Sequence, residues 1–100
     1  MEKRIHQGGT LKVYTEWYNY SDEFTNPTTL SLNIWKPDGT LYTGFPKTIG
    51  DWTKEPATTG IYYYIFVAAA NDPLGKWQVR VVATIDGTPE PETGTFEVIP

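Results

Sequence analysis

Apolar and polar residues alternate with period two along most of the chain, the pattern of strands that bury one side. Leu11, Val13, Thr15 and Trp17 fall on one side of a segment, with Lys12, Tyr14, Glu16 and Tyr18 on the other. Leu30, Leu32 and Ile34 form a second inward row opposite Thr29, Ser31, Asn33 and Trp35. Trp77, Val79, Val81, Ala83 and Ile85 give the longest clean alternation. One segment breaks the rule. In Ile61 to Val67 neither side is polar: Tyr62, Tyr64 and Phe66 share one face, and Ile61, Tyr63, Ile65 and Val67 the other. A small domain covers one side of such a strand with its own core, so the second side needs other cover.

Turn signals punctuate these segments. Gly8-Gly9 ends a short edge strand, and Asn19 to Pro27 is a polar loop carrying Tyr20 and Phe24. Lys36-Pro37-Asp38-Gly39-Thr40 combines a preset φ, a local hydrogen-bond acceptor and a residue tolerant of positive φ. A short strand is expected from Thr40 to Phe45 with Pro46 at an edge, then another near Ile49 and Trp52. Ala68 to Gly75 turns, Asp86-Gly87 turns again, and Pro89 and Pro91 read as a stiff connector before Phe96 and Val98. Helical periodicity never exceeds a turn, Ala68 to Ala70 being the one place for it. Seven or eight short strands with regular turns predict one all-β domain over residues 1–100, an antiparallel two-sheet sandwich.

Four motifs carry a resemblance: Pro37-Asp38-Gly39-Thr40, Thr59-Gly60-Ile61-Tyr62-Tyr63-Tyr64, Gly75-Lys76-Trp77-Gln78-Val79 and Gly94-Thr95-Phe96-Glu97-Val98. Over residues 10 to 99 the chain resembles immunoglobulin-like sandwich modules of bacteria, archaea and their viruses, including macroglobulin-type domains. The resemblance implies that Gly60 to Tyr62 opens strand F, with Tyr62 in a tyrosine corner, and that Gly75 to Trp77 opens strand G. It also implies that the strands holding Leu30, Tyr62 and Val79 are neighbours. Their shared outer face would then carry Trp35, Ile61, Tyr63, Ile65, Val67, Arg80 and Val82, a candidate protein-binding surface of interface-like composition. Alternatively, the loop from Phe45 to Thr59 folds over that face. Free-standing modules of this type look like decoration, neck or tail-associated components of virus particles.

Composition supports a binding role over catalysis. Hydrophobic residues make up 39% of the chain, enough for a core without staples. Cysteine is absent, which excludes disulfides and thiolate chemistry. The single histidine, His6, sits near the N-terminus, and Ser21 and Ser31 lack a nucleophile-elbow setting. Asp22 with Glu23 and Glu90 with Glu92 read as solvated loop acids. No enzyme activity, cofactor or metal is therefore expected, although Asp22, Glu23, Asp51 and Asp72 are oxygen donors of the type calcium takes. A net charge of −4 with scattered basic residues argues against nucleic acid and anionic membranes, and no apolar run spans a bilayer. The N-terminus lacks a signal-peptide pattern, so the expected course is cytoplasmic synthesis, with the virion or cell surface reached in an assembly. The expected partner is another protein or a second copy. The alternative is a cell-surface glycan stacked on exposed Trp35, Tyr42 and Trp52.

Overall fold

The computed structural model describes residues 3–56 and 58–100. Its strands are β1 (Lys3–His6), β2 (Thr10–Glu16), β3 (Thr29–Trp35), β4 (Lys47–Thr48), β5 (Thr53–Lys54), β6 (Ile61–Val67), β7 (Gly75–Ile85) and β8 (Thr88–Ile99). They form two sheets, ordered β1-β8-β7-β3-β4 and β2-β6-β5. A 3-10 turn over Ile49–Asp51 separates β4 from β5, and the Asp51 carboxylate accepts the Thr48 N–H at 2.9 Å. The fold is all-β with two sheets, as the alternation predicts. One pairing is not antiparallel: β1 runs parallel to the end of β8, with Lys3 opposite Phe96 and His6 opposite Ile99.

The inward rows meet in a single core. Leu30, Leu32, Ile34, Trp77, Val81, Ala83, Phe96 and Val98 come from one sheet, and Leu11, Tyr62 and Phe66 from the other. Trp17 and Trp77 are both interior, as expected, at 3% and 0% exposure. Aromatic rings bridge the layers. Phe66 lies 6.0 Å from Trp77 and 6.0 Å from Phe96, tilted rather than face to face. Such geometries suit ring quadrupoles. The Trp77 indole N–H donates to the Pro73 carbonyl at 3.0 Å, which satisfies its one polar atom.

Local chemistry shapes the turns. At Pro37-Asp38-Gly39 the Asp38 carboxylate accepts from the Thr40 N–H at 3.0 Å and hydroxyl at 2.6 Å. Those bonds, the hydroxyl's first, hold its pKa below the ordinary 3.8. Asp86 and Gly87 both have positive φ, 51° and 78°. They give the two-residue turn whose twist suits a hairpin, and β7 and β8 flank it.

Three expectations need correction. Residues 40–45 contribute only an isolated bridge from Leu41 to Trp35, because Thr43-Gly44 turns the chain and pairing resumes at β4. Pro89 and Pro91 belong to β8 instead of a connector. Most consequentially, β6 pairs with β2 and β5, and it is β7 that lies beside β3. The strand opening at Gly60 therefore occupies a different layer from the one the resemblance implied.

Candidate functional site

Because β6 lies in the three-stranded sheet, its second apolar face points away from the core beside the outward row of β2. Register places Val67 opposite Thr10, Ile65 opposite Lys12, Tyr63 opposite Tyr14 and Ile61 opposite Glu16. Cross-strand neighbours on one face interact directly. The Lys12 ammonium sits 4.5 Å from the Tyr63 ring centroid and 5.8 Å from that of Tyr14. Both distances are within range of attraction to an aromatic face. The Tyr14 hydroxyl donates to Glu16 Oε2 at 3.3 Å. Desolvation and then the neighbouring Glu16 charge raise the Tyr14 pKa above 10.0, keeping the phenol a neutral donor. Tyr14, Ile65 and Val67 are 49%, 45% and 60% exposed. At the end of β2 the surface continues into Tyr18, stacked on Phe24 with centroids 4.6 Å apart.

The described residues of the segment from Phe45 to Thr59 leave this face open at Ile65 and Val67. Phe45 and Trp52 pack against the core-side ring of Tyr64, at 6.1 and 6.2 Å. Between them and Gly60, β5 continues the sheet laterally, pairing Thr53 with Tyr63 and Lys54 with Tyr62.

The predicted seven-residue surface is thus divided. Ile61, Tyr63, Ile65 and Val67 belong to the outer side of the three-stranded sheet, while Trp35, Arg80 and Val82 lie on the outer side of the five-stranded one. There Trp35, Gln78, Arg80, Thr93 and Thr95 line a shallow trough of about 560 Å³. The glycan platform also fails to assemble. Trp52 is 7% exposed within the core cluster, and Tyr42 packs 5.2 Å from Phe66 and 5.5 Å from Trp77. Trp35 alone of the three stays on an outer face.

Tyr62 is buried in the core, and it is the half-buried Tyr42 whose hydroxyl ties two loops together. That hydroxyl donates at 2.9 Å to Asp72 Oδ2, which also accepts the Ala69 N–H at 2.6 Å. Gln7 Nε2 donates to the Asp72 carbonyl at 2.7 Å, tying the chain after β1 to the same turn. Burial, then the hydrogen bond and negative charge of Asp72, push the Tyr42 pKa above 10.0. Asp72 is therefore a structural acceptor. Among the described residues, no three His, Cys, Asp or Glu side chains gather as metal ligands, and no helix is long and apolar enough to cross a membrane.

The chain matches no protein-family model and no curated protein. The residues that sequence reasoning left out of the site are Lys12, Tyr14, Glu16 and Tyr18. Their signal was visible as the mixed aromatic and charged outer row of β2, but the pairing of β2 with β6 is what makes them part of it.

Proposed function

We propose that this protein is a non-enzymatic structural or adhesion module of the immunoglobulin-like kind, binding other proteins through the outer face of its three-stranded sheet. The strand order supports the fold reading: one layer joins the second, sixth and fifth strands, and the other joins the third, seventh and eighth. Immunoglobulin-type sandwiches pair strands B, E and D in one sheet and C, F and G in the other, which makes β6 the counterpart of E and β7 of F. The observation that carries the binding role is the uncovered row of Ile65 and Val67 beside Tyr14 and Tyr63, aromatic anchors with a charged margin. The resemblance to immunoglobulin-like modules of viruses supports a virus particle as the setting.

The test is titration calorimetry against the products of neighbouring genes, capsid or tail proteins in a viral genome, with sedimentation to detect self-association. Ile65→Asp and Tyr63→Asp should each weaken association by at least about tenfold, while Arg80→Glu on the opposite face leaves it unchanged. Association abolished by Arg80→Glu and indifferent to Ile65→Asp would overturn the assignment, as would absence of any association. Glycan binding is the second reading, favoured only by Trp35 beside Gln78 and Arg80 in the trough. It predicts tryptophan quenching by polysaccharides that disappears in Trp35→Ala.

A further inference from the structure

The two sheets have four margins, and three are short or guarded, the one that runs from β1 along the first half of β8 by Pro89 and Pro91. Strand β1 has four residues beginning Lys3-Arg4, and β4 and β5 have two each. The margin formed by β2 is different: seven residues long, without proline, glycine or bulge. Its one guard is the charge of Lys12, so an edge of this length is a template for a strand that sets an acid opposite that lysine.

Hydrogen-bond parity defines what β2 offers. The Trp17 N–H donates to the Gly60 carbonyl at 2.9 Å, and the Ala68 N–H donates to the Gly9 carbonyl at 2.9 Å. Odd-numbered residues of β2 therefore turn their backbone groups towards β6. Thr10, Lys12, Tyr14 and Glu16 turn theirs outward, where no described strand meets them.

We infer that two copies of this chain join through β2, antiparallel, about a two-fold axis at Tyr14. Only pairing of even with even residues satisfies the outward groups of both strands. With the axis at Tyr14, Lys12 of each copy stands opposite Glu16 of the other, and the two Tyr14 residues face one another. An axis at Lys12 or at Glu16 places like charges opposite. Axes at Val13 or Thr15 keep the parity but leave both Lys12 and Glu16 without an opposite charge. The interface is isologous, as closed dimers require. It makes one continuous sheet from the two three-stranded layers and merges their two rows of Ile61, Tyr63 and Ile65 into a single surface. The inference rests on the binding role proposed for this sheet and names its first partner as a second copy.

Analytical ultracentrifugation across a concentration series tests it. The unaltered protein should dimerise, Lys12→Glu or Glu16→Lys should each weaken dimerisation about tenfold, and the double reversal Lys12→Glu/Glu16→Lys should restore it. Tyr14→Cys, in a chain with no other cysteine, should be captured as a covalent dimer by a short bis-maleimide, and Arg80→Cys should not. A protein that stays monomeric up to millimolar concentration overturns the inference. So does a dimer indifferent to both single reversals. If such a dimer is instead lost in Ile65→Asp, the face assignment stands and the edge assignment falls.

Discussion

Gly60 sits where three segments of chain converge. Its carbonyl accepts from Trp17, its N–H donates to Asn26 Oδ1 at 2.8 Å, and its φ is +80°. A Cβ there would lie 2.8 Å from the carbonyl oxygens of both Thr25 and Trp17. Strained backbone and steric overlap add, so Gly60→Ala should lose at least about 2 kcal/mol, read as a lower urea midpoint at unchanged slope. Tyr42 carries the second residue-scale expectation. Its folded pKa lies above its unfolded one, so between the two values the native state holds the proton that the unfolded chain releases. That contribution is complete below the unfolded value near 10.0 and is lost as pH rises through the folded value. Tyr42→Phe should cost about 1.5 kcal/mol near neutrality and flatten the alkaline decline in stability, measured by denaturation over a series of rising pH. The glycine was legible as the opening of a strand. The Tyr42–Asp72 bond was not, because it joins residues thirty positions apart whose neighbours in sequence give no hint of each other.

Among the elements, local chemistry was the readable part. Pro37-Asp38-Gly39 and Asp86-Gly87 form the turns their residue types demand, and the alternations of β2, β3 and β7 bury the sides they indicate. The layer to which β6 belongs was unreadable for a physical reason. A strand apolar on both sides has no preferred face, so it fits beside β3 or beside β2 equally well by pattern alone. Proline misled in a different way. Next to the two-residue turn, Ile85 and Thr88 are the first pair of the hairpin, which places Pro89 and Pro91 where the backbone nitrogen points away from β7. Because β1 pairs only from Phe96 onward, those nitrogens face an open margin where a missing N–H costs no ladder bond. They guard it. Pro89→Thr combined with Pro91→Thr should leave the unfolding midpoint nearly unchanged but raise light scattering on storage, as newly exposed donors recruit other strands.

At the scale of the whole molecule, one chain dresses its two outer surfaces differently. The five-stranded side surrounds Trp35 and Val82 with Thr29, Ser31, Asn33, Gln78, Arg80 and Thr84, a mainly polar surface, and the three-stranded side shows Ile65, Val67 and the tyrosines. Sequence patterning anticipated that β6 would be left with apolar surface to cover, and the structure leaves that surface open. What it could not supply was which residues share the surface, since that depends on pairing across more than forty positions of chain. The parallel union of β1 with β8 has a mechanical corollary. A pull applied outward from Lys3 and from Ile99 drives those two strands past each other along their length, so their hydrogen bonds are loaded together in shear instead of opening one after another. Tension along the chain therefore meets a seam whose bonds must yield together.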